Sequence, residues 1–90
     1  MKNSYYSQDL SVFLNENTQT IFGIINQNKT TSDTAEQAYA WNEEIEILQR
    51  ELKNLDDGRI LLEYVIPRMG KRADAILLYR NIVFILEFKC

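Results

Sequence analysis

The stretch Arg72-Ala73-Asp74-Ala75-Ile76-Leu77-Leu78-Tyr79-Arg80-Asn81-Ile82-Val83-Phe84-Ile85-Leu86-Glu87-Phe88-Lys89 decides how the chain is read. It holds two apolar, β-rich runs around a two-residue turn at Arg80-Asn81, where Asn tolerates positive φ. A two-residue turn pairs Tyr79 with Ile82. Asp74 then falls opposite Glu87, and Arg72 opposite Lys89. Carboxylates and an ammonium on strands this apolar are costly to bury unless paired or bound to a cation. A functional site is expected here.

Working outward, residues 59–66 form a third β-rich run, and Pro67-Arg68-Met69-Gly70 a four-residue loop. That loop pairs Ile66 with Lys71 and brings Glu63 opposite Asp74. Glu63, Asp74 and Glu87 then make a row across three adjacent strands, roughly 5 Å apart at Cβ, with Arg72 and Lys89 beside it. Ionised carboxylates that close repel unless a proton or cation intervenes. A cross-strand cluster of ion pairs is the competing reading of the same row. Beyond it the face is apolar (Leu61, Ile76, Leu78, Val83, Ile85), as is the opposite face, so a sheet buried on both sides is expected.

Upstream the period changes to helical. Residues 7–28 read as helix after a Ser7 cap. Leu10, Phe13 and Leu14 form one apolar cluster and Ile21, Phe22, Ile24 and Ile25 another, with a second short helix starting near Thr18. Residues 33–55 read as the clearest helix, opened by an Asp33-x-x-Glu36 capping box. Ala38, Trp41, Ile45, Leu48, Leu52 and Leu55 make one stripe along it, and Asp56-Asp57-Gly58 ends it. Glu44 borders that stripe and is the rival of Glu63 as third acid. Glu43, Glu46 and Glu51 read as surface. Tyr5 and Tyr6 suggest no more than N-terminal packing. The fold class is α/β in an α+β arrangement. One domain spans residues 1–90, with N-terminal helices and then a three-stranded antiparallel meander of about 59–66, 72–79 and 82–89.

Composition narrows the chemistry. There is no histidine, and the only cysteine is Cys90, which excludes His-dependent catalysis, an intrachain disulfide and a thiolate metal cluster. Carboxylates, Lys, Tyr and bound metal remain. The net charge of −3 is uneven: residues 1–57 carry four basic and ten acidic side chains, residues 58–90 six basic and three acidic. With those three acids neutralised by a cation, the second half suits a phosphate backbone. Arg68, Lys71 and Arg72 around the first hairpin are the candidate phosphate contacts. No apolar run reaches the length of a membrane span and no signal-peptide pattern opens the chain, so a cytoplasmic protein without a membrane partner is expected.

Asp74 followed by Glu87-x-Lys89 at the end of the next strand resembles the PD-(D/E)XK nuclease superfamily, although Ala73 stands where the literal motif has Pro. Over roughly residues 38–89 the chain is similar to the nuclease-like domain preceding the ATPase of bacterial Schlafen-related helicases. The likeness rests on Ala40-Trp41 in a helix, the E-Y-V-I-P strand, the K-R-A-D strand and the E-F-K strand. It implies a partial restriction-endonuclease-like core and phosphodiester hydrolysis of nucleic acid, with DNA placed ahead of RNA. It further implies Mg²⁺ or Mn²⁺ held by Asp74, Glu87 and a third acid (Glu63, or its rival Glu44), with Lys89 positioning the attacking water. The superfamily has a further helix and strand after the E-x-K strand. The expectation is therefore either a longer parent chain or a homodimer through the third-strand edge. The alternatives in function are an inactive nucleic-acid-binding or regulatory module of the same fold, and an edge-strand dimerisation module.

Overall fold

In the computed structural model, which describes residues 3–29 and 35–88, the chain is an α+β domain built on a four-stranded antiparallel sheet. Its elements are β1 (Ser4–Asp9), α1 (Leu10–Asn15), α2 (Thr18–Asn28), α3 (Ala35–Glu51), β2 (Arg59–Ile66), β3 (Lys71–Tyr79) and β4 (Ile82–Leu86), and the sheet order is β1-β2-β3-β4. The meander expected from the turn lengths is present in the expected register. Ile66 pairs with Lys71 and Leu62 with Ala75 across the first hairpin, and Tyr79 pairs with Ile82 and Ala75 with Leu86 across the second. Positive φ at the second turn falls on Arg80 (58°) and not on Asn81.

Several expectations are corrected. Residues 7–28 are not one helical region, because Ser4–Asp9 is a strand that pairs with β2, Tyr6 facing Leu62 and Asp9 facing Arg59. The sheet therefore has four strands, not three. Ser7 is a strand residue, and Asp9 stands at the N-cap of α1 without a side-chain cap bond. The long helix ends at Glu51, with a turn carrying Leu52, and β4 ends at Leu86. The break near Thr18 is confirmed: Asn17 caps α2, its side chain accepting from the Gln19 N–H at 2.7 Å. The cap expected at Asp33 lies outside the described residues, as does Lys89.

The helices cover one face of the sheet. Trp41, Ile45 and Leu48 of α3, Phe13 of α1, and Ile21 and Ile25 of α2 pack on Ile60, Leu62, Ala75 and Leu77. Burying one such side chain is worth about 1.5–3 kcal/mol, so this layer dominates stability. Gln49 ties α3 to the α1–α2 elbow, its amide donating to the carbonyls of Phe13 and Glu16 at 2.8 Å each. The expectation of a sheet buried on both faces does not hold, since Val65, Val83 and Ile85 are exposed on the far face.

Strand alternation breaks at one row. Along β2 the burial alternates until Leu62 and Glu63, which are both buried; along β1 the same doublet is Tyr5 and Tyr6. Glu63 has φ +54°, a left-handed conformation costly for a residue with a Cβ. By strict alternation Tyr5, Glu63 and Asp74 would point away from the helices. Instead Tyr5 meets Trp41 edge-to-face at 6.2 Å, and Glu63 and Asp74 meet Glu44 of α3. The break lies in β1 and β2; along β3 Asp74 stands half-buried between buried Ala73 and Ala75.

Candidate metal centre

Three elements each deliver one carboxylate to this row. Glu44 comes from the middle of α3, one turn beyond Trp41; Glu63 from the left-handed position in β2; Asp74 from β3. One oxygen of each lies within 4.8 Å of the other two. Glu63 is 4% exposed, while Glu44 and Asp74 are half-buried. Glu63 and Glu44, expected as rivals, are both in the group.

The electrostatics follow from this crowding. Burial first, and then the charges of Asp74, Glu63 and Glu87, raise the Glu44 carboxyl from 4.5 to about 8. Glu63 is balanced on its other side by Arg72, whose Nε lies 3.4 Å from Oε1. The Arg72 guanidinium also donates to the Tyr5 hydroxyl and stands 5.1 Å from the centre of that ring. Asp74 is oriented from the opposite side, accepting the Phe88 N–H on Oδ2 at 2.8 Å. The β3–β4 ladder ends at Leu86, and this side-chain bond then holds the Glu87-Phe88 segment against Asp74.

The expected row is thus rearranged. Asp74 and Glu63 are brought together, Glu44 joins them, and Glu87 is exposed and outside the tight group, though near enough for its charge to be felt at Glu44. Of the candidate phosphate contacts, Arg68 and Lys71 are exposed at the first hairpin, three or more residues from the acids, or about 10 Å along a strand. Arg72 is engaged with Glu63 and Tyr5. The part played by Tyr5, which anchors Arg72, was not read from the sequence, and an adjacent Tyr-Tyr pair carries no signal for it.

The group fits a hard divalent cation. All three candidate ligands are carboxylate oxygens, the donors a hard divalent cation such as Mg²⁺ prefers, and they would draw closer together than their present 4.8 Å limit around a bound ion. A cavity of about 10 Å³ adjoins them, walled by Trp41, Ile45 and Leu62, close to the space one water-sized sphere occupies.

No family model, no curated protein and no solved structure matches this chain at a significant level. Among the described residues no helix is long and apolar enough to cross a membrane.

Proposed function

We propose that the chain carries a metal-dependent phosphodiesterase site of the PD-(D/E)XK kind, acting on nucleic acid, with DNA ahead of RNA. The observation that carries this reading is the convergence of Glu44, Glu63 and Asp74 from three separate elements within 4.8 Å. Carboxylates brought this close repel unless a proton or a cation intervenes, and a divalent cation could take the place of the Glu44 proton. Bound there, Mg²⁺ or Mn²⁺ would supply charge stabilisation for a scissile phosphate and lower the pKa of a nearby water.

The chain's own residues divide the remaining work. Asp74, fixed by the Phe88 N–H, is a preoriented ligand. Glu63 is held by the Arg72 guanidinium beside it. Glu44 holds a proton at neutral pH and gives it up when a cation takes its place. Glu87 adds negative charge at the rim. By the resemblance, Lys89 orients the attacking water or stabilises charge developing on the phosphate; the exposed Arg68 and Lys71 of the first hairpin would grip the phosphate backbone away from the centre. The test is cleavage of a supercoiled plasmid and a labelled oligonucleotide with Mg²⁺ or Mn²⁺. Activity lost with chelator and in Asp74→Ala supports the reading, and metal-independent or Asp74-independent cleavage excludes it.

A second reading keeps the fold without catalysis, as a nucleic-acid-binding or regulatory module. The Arg72–Glu63 pair favours it, because it occupies one of the three acids with a fixed cation. Metal binding without cleavage would select this reading.

A further inference from the structure

The two edges of the sheet are built differently. Along β1 the edge is largely polar, and Asn28 of α2 covers part of it by donating to the Tyr5 carbonyl at 2.8 Å. Along β4 the edge is Ile82-Val83-Phe84-Ile85-Leu86, of which the first four are 55%, 61%, 41% and 63% exposed. No charge, proline or bulge interrupts it, and those are the usual devices that keep an edge from pairing. On the helix side an open cavity of about 470 Å³ between α3 and β4, walled by Leu52 and Phe88, extends the apolar surface.

Hydrogen-bond bookkeeping identifies what this edge accepts. Tyr79 and Ile82 close a two-residue turn and so form a hydrogen-bonded pair, and such pairs alternate along an antiparallel ladder. Ile82, Phe84 and Leu86 therefore turn their N–H and C=O groups toward β3, while Val83 and Ile85 turn theirs outward. An antiparallel second copy satisfies both outward residues when Val83 faces Ile85 of that copy and Ile85 faces its Val83. Phe84 then faces itself across a twofold axis, and Ile82 faces Leu86, apolar against apolar on both faces. At each end Asn81 comes opposite Glu87, with Arg80 adjacent, so a cation and an amide meet a carboxylate and no like charges oppose. Shifting the centre to Val83 would set Ile85 against Asn81 and lose this match.

We infer that β4 is a homodimerisation edge, joining two copies into one continuous antiparallel sheet through a β4–β4 pairing centred on Phe84. The axis stands perpendicular to the sheet, so the helices of both copies lie on the same side. A single strand pair is smaller than the roughly 1,200–2,000 Å² of a standard stable interface, so the association depends on concentration. The pairing is independent of the acidic group.

Sedimentation equilibrium over a range of concentrations tests it, the mass rising from 10.6 kDa toward twice that value. Val83→Pro removes an outward N–H while sparing the β3 ladder, and Val83→Lys adds charge at an exposed position. Each, checked for folding by circular dichroism, weakens association at least about tenfold, the loss of a few edge contacts. In a Cys90→Ser background, Phe84→Cys forms an intermolecular disulfide on mild oxidation, because non-hydrogen-bonded partners stand about 4.5 Å apart at Cα. Val83→Cys does not. A monomer at every concentration, a folded Val83→Pro that associates as the parent does, or crosslinking at position 83 in place of 84 overturns the inference.

Discussion

Replacing Glu44 by Gln tests the crowding of the acidic group without changing its shape. The Glu44 carboxyl moves from 4.5 to about 8 on folding, chiefly by burial and then by Asp74, Glu63 and Glu87. At about 1.36 kcal/mol per pKa unit this is on the order of 4–5 kcal/mol, a ceiling reached when the folded state is forced to ionise. The sign is set by which state holds the proton. Below pH 4.5 both states hold it and Glu44 costs nothing. Between 4.5 and about 8 the unfolded chain releases it while the folded chain keeps it, so stability falls as pH rises. Above that window the full penalty stands. The Gln variant carries no such penalty. Urea unfolding in chelator at about pH 5, 7 and 9 should therefore show the two proteins nearly equal at the lowest pH, with Gln ahead by about 2–5 kcal/mol at the highest. Mn²⁺ at about a hundred times its Kd should narrow that gap by about 2.7 kcal/mol, stabilising the parent alone. A gap that does not change with pH would refute the reasoning, since it would mean that Glu44 is neither desolvated nor near its acidic neighbours.

Other perturbations separate packing from charge. Arg72→Ala removes the guanidinium beside buried Glu63 and should cost about 2–4 kcal/mol near neutral pH in denaturant unfolding, with Lys a poor substitute because it lacks the planar fork that engages both Glu63 and Tyr5. Trp41→Ala should cost about 3–5 kcal/mol by cavity formation, whereas Trp41→Phe should cost far less, because the buried indole N–H has no partner to lose. Gly58→Ala should cost about 2 kcal/mol or more in thermal unfolding, since at φ +124° its new Cβ would lie 2.6 Å from the Leu78 carbonyl oxygen.

How far the sequence could be read depended on whether a feature was local. β2, β3 and β4 and their register were legible because the loops at 67–70 and 80–81 are short enough to set every pairing beyond them. The stripe of α3 was legible because Trp41, Ile45 and Leu48 recur at helical spacing. β1 was not, because Ser4–Asp9 is a strand only by virtue of β2, whose paired positions lie 50 to 60 residues away, and consecutive tyrosines show no period of two. Asp74 and Glu63 could be placed opposite one another from turn lengths. Their meeting with Glu44 could not, since it goes with a left-handed backbone at Glu63, and nothing in Leu62-Glu63-Tyr64 announces a positive φ. Strict alternation instead put Glu87 in the row, where the structure leaves it at the rim.

The most direct test of the metal centre is calorimetric titration of Mn²⁺ into the chelator-treated chain at slightly alkaline pH, where proton competition at Glu44 is least. A single site should be seen in the parent, be lost in Asp74→Ala and Glu63→Ala, and bind less tightly as pH falls through the Glu44 titration. No binding at millimolar Mn²⁺, or binding unchanged by both substitutions, would contradict the account.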